Sequence, residues 1–126
     1  MIVLEDTAAE CLLYLYYVLF PECDIISRYF SLCNNGKHPV KIEKAMSLCL
    51  DLPSAENWQS LVLPGRFCYE RMSLQRSTLM YGTQVFSSRR GTSSHQMNPF
   101  LGLCKKNTTE DKGEVYGFNF IYSGSY

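Results

Sequence analysis

Ser93, Ser94 and His95 place two hydroxyls beside an imidazole, and Glu110, Asp111 and Glu114 place three carboxylates in one short segment. Serine with histidine is the chemistry of covalent acyl transfer, and paired carboxylates are the chemistry of glycoside hydrolysis. The spacing argues against both. A nucleophile and its base meet through the fold, with a third group orienting the base, whereas adjacent strand residues point to opposite faces. No Gly-x-Ser-x-Gly elbow is present either. Ser93 to His95 therefore reads as a hydrogen-bonded loop. The three acids flank Gly113 in a turn-like stretch, where carboxylates are solvated or cap backbone N–H groups. Residue spacing gives no sign of a catalytic pair at the separation of about 5–10 Å that glycosidases need. No catalytic residue is assigned.

The stretch from Ser88 to Phe100 carries a different chemistry. Arg89 and Arg90 precede Gly91, a run of hydroxyls, His95, Gln96, Asn98 and Pro99. Guanidinium forks and amides match carboxylates and other amides in fixed geometry. Arg89, Arg90, His95, Gln96 and Asn98 are candidates for a surface that docks onto another domain; a pair of merely exposed arginines is the plainer alternative. Tyr116, Phe118, Phe120 and Tyr122 recur with period two and form an aromatic stripe. Such rings either fill the space between sheets or stack on the C–H face of a sugar.

These groups must be positioned by strands. Leu12 to Phe20 is apolar at every position and rich in aromatics, which predicts a central strand ended by Pro21. Asp24 to Cys33 predicts a second strand, in which Arg28 shares a face with Ile26, Phe30 and Leu32 and needs a partner if buried. Val40 to Leu52 alternates apolar with polar or small residues apart from Lys44, and Pro53 ends it. Asn34-Asn35-Gly36 lies between the last two segments and predicts a hairpin that pairs them. Further strands are predicted at Gln59 to Leu63, Phe67 to Leu74, Gly82 to Ser87 and Glu114 to Tyr122. Ala55 to Gln59 offers at most one helical turn. The fold class is all-β, an antiparallel sandwich.

Composition narrows the function classes. The 126 residues are 46% hydrophobic, enough to bury a core, and 12 basic residues balance 12 acidic ones. That balance gives no basic face for nucleic acid. Leu12 to Phe20 is too short for a membrane-spanning helix, which takes about 20 residues. The six cysteines (Cys11, Cys23, Cys33, Cys49, Cys68 and Cys104) lack C-x-x-C or Cys/His spacing, so no metal site or cofactor is expected. The acidic start MIVLEDTAAE does not have the form of a secretory signal. Free thiols behaving as small buried hydrophobes, in a cytoplasmic protein, are the expectation. Asn107-Thr108-Thr109 fits a glycosylation acceptor but is taken as chance, and His38 as a surface histidine.

Several segments together resemble one family. Val3-Leu4-Glu5-Asp6, Asp24-Ile25-Ile26-Ser27-Arg28 and Glu43-Lys44-Ala45-Met46-Ser47 are similar to successive strands of the N-terminal β-sandwich domain of glycoside hydrolase family 36 α-galactosidases. Leu50-Asp51-Leu52-Pro53 and Glu70-Arg71 continue the likeness. The most specific match runs from Arg89-Arg90-Gly91 to Asn98-Pro99-Phe100, followed by Glu114 to Phe118 and Tyr122-Ser123-Gly124. Met97, Cys68 and Cys104 depart from the pattern. The resemblance implies a retaining exo-α-galactosidase acting on melibiose or raffinose without metal or cofactor. Its two aspartates lie on a (β/α)8 barrel that follows the sandwich, so no residue here inherits them. On that basis residues 1–126 are a single partial sandwich domain, a gene remnant or truncated reading frame without its barrel and inactive alone. Its expected partners are the parent enzyme's own barrel and sister subunits, with substrate reached only through that barrel. The alternative is a stand-alone carbohydrate-binding module using the Tyr116 to Tyr122 face.

Overall fold

In the computed structural model, residues 1–46, 48–52, 57–69, 74–122 and 124–126 are described. They form two compact units, Met1–Asp51 and Leu52–Tyr126, each built on one antiparallel sheet. No helix longer than a 3-10 turn occurs among them, so the chain is all-β as predicted.

In the first unit β1 (Ile2–Asp6), β2 (Cys11–Phe20) and β3 (Ile25–Asn34) pair in that order. The apolar run of β2 takes the centre, where β-branched and aromatic side chains meet neighbours on both sides. An oxygen of the Asp6 carboxylate starts the β1–β2 turn by accepting the N–H groups of Ala8 and Ala9 at 2.9 and 3.0 Å. Tyr16 and Tyr29 face each other in register, their rings nearly parallel with centroids 4.6 Å apart. The next pair on the opposite face is Tyr17 with Arg28, whose guanidinium lies 5.5 Å from the ring centre. Arg28 is thus half-buried against a ring rather than lost in an apolar layer.

The expected hairpin between Asp24–Cys33 and Val40–Leu52 does not form. β3 pairs instead with β2, across a 3-10 turn at Pro21–Cys23. Proline presets the first φ, and Asp24 closes the turn in the left-handed region at φ 53°. Asn34-Asn35-Gly36 does turn the chain, but its groups are used locally. Asn34 Oδ1 accepts the Gly36 N–H, Asn34 Nδ2 donates to His38 O, and the Asn35 N–H donates to Glu10 O in the β1–β2 turn. Residues 40–46 and 48–52 lie in no strand, and Ile42 and Met46 are exposed. Ser47 and Pro53 fall outside the described residues.

The second unit holds β4 (Trp58–Val62), β5 (Gln75–Thr78), β6 (Phe100–Lys105) and β7 (Val115–Asn119), in the order β5-β4-β6-β7. Trp58, Ser60 and Val62 alternate inward and are buried, the period-two signature of a strand with one covered face. Trp58 packs against Tyr116 at 5.6 Å and under the Lys105 ammonium at 4.6 Å. Gly102 lets β6 approach β4, since a Cβ there would stand 3.1 Å from Leu61 Cβ.

Three predicted strands shift. Phe67 to Tyr69 is a turn, with the Tyr69 N–H donating to Arg66 O, and residues 70–73 of the Phe67 to Leu74 segment lie outside the described set. The regular strand begins only at Gln75. Gly82 to Ser87 is not a strand. The last strand ends at Asn119, because the Phe120 N–H donates to Pro99 O and the Tyr122 N–H to Phe120 O. Gln59 belongs to β4; Ala55 and Glu56, the start of the suggested helical turn, are outside the described residues.

Candidate functional site

The Ser88 to Phe100 loop is fastened to the last residues of the chain. Ser88 and Tyr126 exchange backbone hydrogen bonds of 2.7 and 3.0 Å. The Gly91 N–H donates to Ser125 Oγ, Ser93 Oγ donates to Tyr122 O, and the Tyr126 hydroxyl donates to Met97 O at 2.7 Å. On the other side the Gly65 N–H donates to Gln96 O and Asn98 Nδ2 to Leu63 O. The loop is therefore ordered within the chain itself, by polar groups that sequence alone leaves unassigned.

This fastening divides the five candidate docking residues. Arg90 Nη1 donates to Gln96 Oε1 at 2.7 Å, which ties these two exposed side chains together. Asn98 is held by Leu63. Arg89 is exposed, and neither its guanidinium nor the His95 imidazole bonds to any described residue. Donors left for a partner include the whole Arg89 guanidinium, the His95 imidazole and the remaining N–H groups of Arg90 and Gln96.

The aromatic stripe also divides. Tyr116 joins Trp58 and Lys105 in the sheet, while Phe118 is half-buried opposite Leu101. Phe120 and Tyr122 form a second cluster with Tyr126, centroids 5.5 and 6.4 Å from Phe120. A cavity of about 490 Å³ opens beside them, lined by Ser93, Pro99, Asn119, Phe120, Ile121 and Tyr122. Sequence pattern foretold the rings; it gave no sign that the break after Asn119 separates them into two groups.

The candidate acids are exposed or bound locally. Glu110 and Asp111 are exposed in a turn closed by Thr109 and Lys112, and Glu114 divides its oxygens between the Tyr116 hydroxyl at 2.6 Å and Lys105 Nζ at 3.8 Å. The hydrogen bond from Tyr116, with the charge of Glu114 behind it, raises the Tyr116 pKa above its ordinary value. Ser93 and Ser94 bond to the backbone, not to His95. Among the described residues no group of three or more His, Cys, Asp or Glu is placed to hold a metal ion. Only Cys11 and Cys104 are buried; Cys23, Cys33, Cys49 and Cys68 are exposed, contrary to expectation, two of them because they sit at turns.

Among the described residues the chain is all-β, with two antiparallel sheets and an internally fastened polar loop. The family model for the glycosyl hydrolase family 36 N-terminal domain matches residues 1–126, and the chain belongs to that family. It is 41% identical over 125 residues to alpha-galactosidase 1 of Pediococcus pentosaceus, a match covering 99% of this chain and 17% of that protein. The crystal structure of alpha-galactosidase AgaA from Geobacillus stearothermophilus superposes with a TM-score of 0.89 at 40% identity, covering 98% of this chain and 17% of that one. The galactosidase domain of the bifunctional AgaSK of Mediterraneibacter gnavus gives 0.84 at 42% identity, with the same coverage. The chain thus spans about a sixth of the length of these relatives.

Proposed function

We propose that the chain is the non-catalytic N-terminal segment of an α-galactosidase, serving as a scaffold on which the catalytic domain and neighbouring subunits dock. The observation that carries this is near-complete coverage of the chain by one end-region of α-galactosidases whose remaining length is several times greater. The local chemistry agrees. Glu114 is committed to the Tyr116 hydroxyl and the Lys105 ammonium. Docking falls to the exposed face of the Ser88 to Phe100 loop. Arg89 supplies a guanidinium with no bond to a described residue, His95 an imidazole likewise, and Arg90, Gln96 and Asn98 help hold the loop in shape.

The purified 126-residue chain should release no p-nitrophenol from p-nitrophenyl α-galactoside beyond a mock purification. Turnover that survives removal of host enzyme and follows the chain through chromatography would contradict the non-catalytic role.

A further inference from the structure

We infer that Asn35 is a self-modifying residue that loses its side-chain amide to attack by Gly36, and that the Asn34 side chain sets the rate. Asn35 is the one asparagine of the sequence followed by glycine, and both residues lie beyond β3, outside any strand. Glycine puts no side chain in the way of attack by its nitrogen on Asn35 Cγ. In that step the Gly36 nitrogen gives up its proton and bonds to Cγ, closing a five-membered imide. The Cγ–Nδ2 bond breaks, and the amino group leaves with the proton as ammonia. Water then opens the imide at either carbonyl, giving aspartate or isoaspartate at position 35. The Asn35 amide is prepared for this. Its Oδ1 accepts the Cys33 thiol at 3.2 Å, which draws electrons from Cγ, and its Nδ2 bonds to no described residue.

The brake is the hydrogen bond from the Gly36 N–H to Asn34 Oδ1 at 3.0 Å, which engages the proton that must leave. Asn34 is itself braced, with Nδ2 donating to His38 O at 2.8 Å and the Cys11 thiol donating to Oδ1 at 3.8 Å. The Asn35 N–H donates to Glu10 O at 2.9 Å, so the end of β3 is tied to the β1–β2 turn. Reaction strains that tie in two ways. Isoaspartate carries the main chain through the former side chain, one atom longer between the Cα of residue 35 and the Gly36 nitrogen. Either product also places a carboxylate in the concavity that Asn35 lines together with Glu5 and Glu10, where like charges repel.

The test follows the 126-residue chain by peptide mass spectrometry during prolonged warm incubation at mildly alkaline pH, with isoaspartate identified by isoaspartyl methyltransferase. Product should accumulate at position 35, and faster in guanidinium chloride than in the folded chain. Asn34→Ala, with its amide spectrum showing β2 and β3 still paired, should speed the folded-state reaction by about two- to tenfold, the factor equivalent to one ordinary hydrogen bond. Should that variant not fold, hydrogen exchange on the unaltered chain decides. The Gly36 amide should be protected by a similar factor, and the Lys37 amide, which donates to no described residue, should not. No product at position 35, equal rates with and without denaturant, an unchanged rate in a folded Asn34→Ala chain, or an unprotected Gly36 amide would each overturn the inference. The α-galactosidase reading stands apart from these outcomes, since it is tested by turnover and assembly.

Discussion

Arg76 Nη2 lies 3.3 Å from the sulfur of Cys104, which is 1% exposed, and the same guanidinium donates to Thr108 O at 3.0 Å and Lys105 O at 3.1 Å. One side chain of β5 thereby ties together the end of β6 and the turn that leads to β7. The fork geometry makes this possible, since lysine has no planar array of donors to divide among three acceptors. Arg76→Lys should lower unfolding stability by about 1–2 kcal/mol in urea, given that several hydrogen bonds from a charged group are lost at a partly exposed site. An unchanged midpoint would mean that water replaces the fork at no cost.

The same turn depends on Gly113. Its φ of 128° is closed to ordinary side chains, and an added Cβ would lie 2.6 Å from Thr108 Oγ1. Thr108 is buried and donates to Glu114 O. Gly113→Ala should therefore cost about 1–3 kcal/mol of stability, more than the gain from restricting the unfolded chain. Retained stability with an unchanged amide spectrum would show that the turn has another conformation available.

The hydroxyls of Tyr116 and Tyr126 both lose their protons less readily than an ordinary tyrosine, the first through its hydrogen bond to Glu114 and that carboxylate's charge, the second through burial. A folded-state pKa raised above the unfolded value gives stability that is full below the unfolded value, about 10 for tyrosine, and is lost as pH rises through the folded one. Denaturation midpoints should fall on alkaline titration, and Tyr126→Phe should reduce that fall. At neutral pH Tyr126→Phe should also cost about 1 kcal/mol through loss of the bond to Met97 O. A midpoint equally sensitive to alkali in the unaltered chain and in Tyr126→Phe would contradict this.

Much of the fold was legible. β2 and β3 follow from an apolar run and a strand pattern, and β4 from its alternation. Their pairing was not, because Asn34-Asn35-Gly36 is a stronger hairpin signal than Pro21 to Asp24, where the needed left-handed residue is an aspartate. Val40 to Leu52 has a strand's alternation, but alternation states only which residues can share a face and says nothing about a partner. β6 has little strand signature because Gly102 weakens its pattern; the apolar letters between Pro99 and Lys105 are the available clue. The loop from Ser88 to Phe100 stood out by composition, whereas the contacts that hold it come from the far end of the second unit and have no local signature.

The most direct test of the scaffold role places this chain in frame of the matched segment of alpha-galactosidase AgaA from Geobacillus stearothermophilus. Turnover of p-nitrophenyl α-galactoside, thermal midpoint and oligomeric state are then measured together, with Arg89→Ala and Arg90→Ala in the same background. The hybrid should hydrolyse the substrate. Arg89→Ala should lower the midpoint or loosen assembly more than Arg90→Ala, with turnover per assembled enzyme retained in both. A well-assembled hybrid without activity, or an Arg89→Ala variant with unchanged stability and assembly but lost turnover, would place this domain in the reaction itself and contradict the scaffold role.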